Sequence, residues 1–226
     1  MPARKPLWKS PIVIFVIIVA VIALMITLRQ TYVLQTFRFN SNANAPTIGA
    51  QKMVFTSIKK KPKLFDFIVF RNTTQPGAPV WMSRVCGMAG DSIEMRRGEL
   101  FVNGRPVDSS LTLSHSYLVS PKDTAGMHVE QHSVVPDAMD SVLITYPDQV
   151  MQKLGISYHR YFVPLEMVDT YMQKVFDQPW NIDNFGPVKV PDQSFFVLGD
   201  NRSNAMDSRY IGFINAKDFK GTVLNH

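Results

Sequence analysis

A single cysteine, Cys86, in 226 residues excludes an intramolecular disulfide, so the folded part of this chain must be held by its core alone. No cysteine cluster, glycine-rich phosphate loop, internal repeat or low-complexity tail is present. Five histidines occur, but none lies in a motif that would make it the base of a Ser-His-Asp triad. His128 and His132 are one helical turn apart, yet the glutamate falls at 130, wrong for a zinc protease, and no third ligand follows. The expectation is an exposed pair with no metal, and no cofactor is expected anywhere. Charge is missing from one stretch altogether, residues 11–28.

That stretch, Pro-Ile-Val-Ile-Phe-Val-Ile-Ile-Val-Ala-Val-Ile-Ala-Leu-Met-Ile-Thr-Leu, would span about 27 Å as a helix, close to a bilayer core of roughly 30 Å. It exceeds the ~15 apolar residues of a signal peptide, and no small-x-small site follows before Arg29, so an uncleaved membrane anchor is expected. Arg4, Lys5 and Lys9 precede it, which predicts a single pass through the cytoplasmic (inner) membrane with the N-terminus inside and the main domain exported. The net charge of +6 then suits anionic lipid, with 59–63 (Lys-Lys-Lys-Pro-Lys) as a surface loop. Without interleaved aromatics that run is no nucleic-acid patch.

After the anchor, β-branched and aromatic residues at 31–39 predict a strand, and further strands follow at 52–58, 66–71 and 80–86. Residues 92–96 and 99–102 read as a hairpin around Arg97-Gly98, Asn103-Gly104 is a two-residue turn signal, and a strand near 221–225 closes the chain. From 106 to 187 the composition shifts to Met, His, Ser and Asp. Helices are expected there at 147–155 and at 164–175, the latter from the helical spacing of Leu165, Val168, Met172 and Val175. The organisation expected is 1–29 as tip and anchor, 30–105 with 188–226 as a β body, and 106–187 as an inserted segment or small second domain. The fold class is mainly β, an antiparallel body with a small α/β insert and one N-terminal transmembrane helix.

Residues 198–213 are the most polar stretch flanked by apolar residues. They follow an apolar run, 194–198, so Asp200, Arg202, Asp207 and Arg209 come close to the interior, where charges must be paired. They form either a structural Asp/Arg network or a catalytic cluster.

Three segments, with the anchor, resemble the type I signal peptidases, membrane-bound serine proteases that remove signal peptides from exported proteins. They are 41–48 (Ser-Asn-Ala-Asn-Ala-Pro-Thr-Ile), 83–91 (Ser-Arg-Val-Cys-Gly-Met-Ala-Gly-Asp), and the series Gly199, Asp200, Asn201 then Asp207, Ser208, Arg209, Tyr210. The segment 180–187 looks like members of the family with a sizeable insert, and the resemblance covers nearly the whole chain. It implies a dyad in which a serine attacks the scissile carbonyl while a buried lysine, neutral through desolvation, takes the proton. Aligned on Pro46 and Thr47, the nucleophile position is Ala43. Aligned on Arg84, Gly90 and Asp91, the base position is Ser83, and the serine that often bonds the lysine is replaced by Ala205.

The resemblance further implies a groove formed by Phe39, Asn40, Ser41, Asn42 and Ala43 with Val80, Trp81, Met82 and Ser83, taking an extended peptide by strand addition. Gly199, Asp200, Asn201, Arg202, Asp207, Ser208 and Arg209 would brace its wall. Ser41 stands where related peptidases often carry a hydroxyl that helps bind the oxyanion. Two functions are then open. The chain holds a preprotein segment or partner without cleaving it, or it is an active signal peptidase whose nucleophile has moved, to Ser41 or to a second chain. Attack by Ser41 requires a shifted register, and a displacement of about 1 Å already costs ~10²-fold in such sites. The expected partners are an extended peptide and membrane lipid, with no nucleic acid. The oligomeric state is not legible.

Overall fold

The computed structural model describes residues 10–32, 34–125, 127, 132–134 and 141–225. Helix α1 (Pro11–Tyr32) carries apolar side chains that stand in solvent, among them Ile12 (73% exposed) and Phe15 (66%). Its side chains are described as far as Thr27, and among the described residues no helix is long and apolar enough to cross a membrane. The anchor expected over 11–28 therefore rests on the sequence. The strand expected from residue 31 starts later, because the helix continues through Tyr32.

The strands in the first half are β1 (Leu34–Arg38), β2 (Met53–Ser57), β3 (Phe67–Arg71), β4 (Val80–Gly87), β5 (Ser92–Arg96), β6 (Glu99–Val102) and β7 (Arg105–Pro106). Residues 106–187 hold β8 (Ser114–Val119), β9 (His132–Val134), β10 (Val142–Pro147), α2 (Asp148–Met151), β11 (Tyr158–Arg160) and α3 (Thr170–Phe176). The chain returns through β12 (Phe185–Lys189), β13 (Ser194–Leu198), α4 (Ser208–Ile211), β14 (Ile214–Asn215) and β15 (Phe219–Val223).

These strands form a seven-stranded sheet, β1-β2-β15-β3-β4-β13-β14, and two four-stranded ones, β12-β5-β6-β7 and β11-β8-β10-β9, with every described strand pair antiparallel. The apolar run of β3 is explained by its central place, since apolar residues cover both faces. Phe67 and Val69 pack with Ile48, Val54 and Met82, while Ile68 and Phe70 pack with Val85, Val197, Ile211 and Ile214. The hairpin β5–β6 lays Ile93, Met95, Leu100 and Val102 against Phe185, Phe196 and Leu198.

The third sheet lies wholly within residues 106–187, the stretch expected as an insert, and has its own core of Tyr117, Val119, Ile144 and Met151. Both helices expected in the insert are shorter than the sequence suggests. The first is only Asp148–Met151. The second starts at Thr170, because the Asp169 carboxylate accepts the N–H groups of Tyr171 and Met172 as an N-cap. Leu165 and Val168 precede that cap and stand exposed, so their helical spacing marked no buried face. His128 lies outside the described residues, and His132 opens β9.

Candidate functional site

Beyond β1 the chain folds into a tight turn pinned by Ile48, which is buried. The Gln51 N–H donates to the Phe39 carbonyl (2.8 Å), Ala45 N–H to Asn42 O (2.9 Å) and Ile48 N–H to Asn44 O (2.9 Å). Within this turn Ser41 Oγ accepts the Ala43 N–H at 3.2 Å. The turn is tied to two neighbours. Asn44 Nδ2 donates to the Met82 carbonyl at 2.8 Å, and Asn201 N–H donates to the Ala43 carbonyl at 3.0 Å.

Strand β4 has different partners at its two ends. On one side β3 pairs with Val80 through Arg84, but on the other β13 pairs only with Arg84, Val85 and Gly87. Val80 to Ser83 therefore have no described ladder partner on the β13 side, and the 40–44 turn approaches that edge through Asn44. Gly199 closes the same space from behind. A Cβ there would collide with the Ala43 carbonyl and the Ala205 methyl, so these three residues meet.

The polar stretch expected near the interior is a set of buried ion pairs. Arg84 forks onto Asp200 through Nε (2.6 Å) and Nη2 and stacks on the Phe67 ring at 4.1 Å. Thr47 Oγ1 donates to the same carboxylate. Arg209 forks onto Asp207 (Nε and Nη2 each at 2.8 Å), and Asp207 also accepts the Gly199 N–H at 3.0 Å. Arg202 pairs with Asp108, 2.8 Å away. Burial opposes the charge of Arg209 and of Arg202, but the Asp207 and Asp108 carboxylates outweigh it and hold both guanidiniums protonated.

Between the turn and the β4 edge runs a groove of about 670 Å³. Phe39, Asn40, Ser41 and Ala43 form one wall with Asn44, and Val80, Trp81 and Met82 form the other. Ser203, Asn204, Ala205, Met206 and Tyr210 close one side, and Gln75 also contributes. Asn42 does not line it and holds the turn from behind, its Oδ1 accepting the Ala50 N–H at 2.8 Å. Ser83 is buried, with its hydroxyl donating to the Met82 carbonyl. Gly199, Asp200, Asn201, Arg202, Asp207, Ser208 and Arg209 lie behind the lining.

Sequence reasoning missed Asn44, Ser203, Asn204, Met206 and Gln75. The three at 203–206 lie inside the polar stretch 198–213 and could have been found there, but nothing at Gln75 distinguishes it. Among the described residues the lining contains one ionisable side chain, Tyr210, whose phenol burial pushes up to about 12. Cys86 is no alternative nucleophile, since it is fully buried and its thiol is pushed up to about 12 by that burial.

The family model described as signal peptidase, peptidase S26, matches residues 11–225. Signal peptidase I S of Bacillus subtilis (strain 168) is 27% identical over 217 residues, 95% of this chain and 84% of that protein. Signal peptidase I of Bacillus amyloliquefaciens is 26% identical over 220 residues, 95% of this chain and 83% of that protein. A crystal structure of a signal peptidase I from Enterococcus faecalis V583 is 20% identical and covers 73% of this chain and 98% of that one, with a TM-score of 0.37, a likeness too slight to carry an argument. With a match that runs from the first turn of α1 to the residues after β15, the chain belongs to the signal peptidase family, peptidase S26.

Proposed function

We propose that this chain is a membrane-anchored member of the family that holds extended, signal-peptide-like segments in its groove without cutting them. The observation that carries this reading is a groove that offers a hydroxyl and a strand edge with no described ladder partner, but no base. Ser41 Oγ is at hand, yet no lysine, histidine or carboxylate lines the groove among the described residues. Serine attack needs a group to take its proton, and a tyrosine with a pKa of about 12 remains protonated at neutral pH. On the resemblance, the nucleophile position is a methyl at Ala43 and the base position is the hydroxyl of Ser83. Val80 to Met82 lack a described ladder partner on the β13 side and offer an edge on which an extended segment could add as a strand, although the Met82 carbonyl is already taken by Asn44.

The anchor part of the reading rests on the charge-free run at 11–28, about 27 Å as a helix. With Arg4, Lys5 and Lys9 before it, the body would stand on the exported face.

The test is to incubate the full-length chain in detergent with a preprotein. The expected result is a complex recovered by cross-linking at Trp81, with the preprotein intact. Cleavage that disappears in Ser41→Ala would overturn the proposal in favour of the second reading, an active peptidase with a relocated nucleophile, which the exposure of Ser41 in the groove favours.

A further inference from the structure

Residues 202 and 203 serve two cavities. Ser203 lines the groove, whereas Arg202 grips Asp108, which lines a second cleft of about 630 Å³ between the β5–β6 hairpin and the insert. The hairpin turn is Arg97-Gly98, with φ of 47° and 71°, the positive pair that a two-residue turn requires. This turn sets Arg97 over the Phe162 ring, 5.7 Å from its centroid, while Arg160 lies 5.1 Å from the same centroid. Arg160 is held by its bond from Nη2 to the Gly98 carbonyl at 2.8 Å. A Cβ at residue 98 would come within 2.8 Å of that nitrogen, so the glycine makes room for it.

The carboxylates of the cleft are largely engaged elsewhere. Asp108 takes Arg202 and the Leu100 N–H, and Asp148 takes His115 Nδ1 (2.8 Å) and the Tyr117 hydroxyl (2.7 Å). Arg96 is forked onto Glu94. Among the described residues Arg97 and Arg160 form no ion pair, so two guanidiniums stacked on one ring retain N–H groups for an anion. A second unmet group lies at the same place. His115 lines the cleft, is 4% exposed, and its Nε2 has no partner. With Nδ1 donating to Asp148, Nε2 is an acceptor and calls for an N–H.

We infer that this cleft is a binding site for a polypeptide carrying an acidic side chain, its carboxylate held by Arg97 and Arg160 and an adjoining apolar side chain resting against Phe101 and Phe162, which both line the cleft. The demand for an acceptor at the arginines and for a donor at His115 matches a carboxylate next to a backbone amide. A free anion supplies only the first. A phosphate dianion would meet Glu99, Asp108 and Asp148 in the same cleft, whereas a single negative charge meets less repulsion. The site is separate from the groove, and it stands whether or not the groove holds a segment.

The experiment uses the full-length chain in detergent micelles, with the arginine Nε–H and His115 ring signals followed by NMR. The probe is the capped peptide acetyl-Gly-Glu-Phe-Gly-amide, alongside its Gln counterpart, acetate and inorganic phosphate. The Gln peptide is expected to bind about fivefold more weakly, and Arg97→Asn to weaken the Glu peptide by a similar factor. Arg97 is exposed and Asn suits its positive φ, so that variant keeps the turn. Ala43→Trp, which fills the groove, is expected to leave this binding unchanged. Equal affinity for the Glu and Gln peptides would overturn the assignment. So would a loss in Ala43→Trp equal to that in Arg97→Asn, or displacement of the peptide by equimolar acetate or phosphate.

Discussion

Ala43, Gly199 and Ala205 meet at one point, where the Ala43 carbonyl and the Ala205 methyl have settled against the bare Cα of Gly199. On the family resemblance two of these are the positions that would hold a nucleophile and the partner of its base. Restoration tests this directly. Ala43→Ser with Ser83→Lys and Ala205→Ser is expected to give measurable preprotein cleavage, because a lysine at the buried position 83 would be kept neutral by desolvation. A stable triple variant with no activity in a gel assay would mean that the groove itself has diverged, and would count against segment binding too. A second residue-scale prediction concerns His115. Burial holds its imidazole below the ordinary value of 6.5, and the Asp148 carboxylate offsets this only in part. A depressed folded-state pKa means that the unfolded chain takes up the proton first. The stability contribution is therefore complete above pH 6.5 and is lost as pH falls below it through the folded value. Chemical denaturation between pH 7.5 and pH 5 should show this loss in the native chain and a smaller one in His115→Gln.

At the level of elements, α4 depends on one ion pair. Asp207 caps the helix by accepting the Arg209 N–H, and the same carboxylate takes the Arg209 guanidinium and the Gly199 N–H. Arg209→Met alone leaves a buried anion and is expected to cost about 3–5 kcal/mol, whereas Asp207→Leu with Arg209→Met should cost less than the sum of its parts. Urea titration of the two single variants and the double variant measures the difference. The elements legible in the sequence are those whose side chains had one way to be buried. The run Phe67 to Phe70 reads as a strand, though its central place in the sheet does not follow from it, and Ser92–Arg96 and Glu99–Val102 read as a hairpin from the alternation of their apolar residues and the Arg97-Gly98 turn. The insert sheet was not legible. Strand β8 reads Ser-His-Ser-Tyr-Leu-Val, and its polar residues are buried through bonds to distant groups, Ser116 N–H to Ser203 Oγ and His115 to Asp148. Such partners are set by tertiary structure and leave no period in the sequence. The groove was half legible. Its turn and its β4 wall follow from the motifs, but Asn44 enters only because its amide reaches the Met82 carbonyl.

The whole molecule places its groove close to its helix. From Tyr32 to Phe39 the chain takes seven residue-to-residue steps, which at full extension reach roughly 24 Å. Whatever holds α1 therefore holds the groove on a leash of that length. If α1 is anchored in a bilayer as proposed, a segment rooted in that bilayer would meet the groove at a high effective concentration, and a free peptide would gain nothing from this arrangement. Inserting a Gly/Ser linker of about 20 residues after Tyr32 should lower cross-linking of a membrane-held preprotein while leaving the affinity for a soluble peptide unchanged. Equal loss of both would show that the insertion damages the groove. With α1 anchored as proposed, the few residues between helix and turn would act as a ruler, selecting ligands by height above the membrane before any side chain is read.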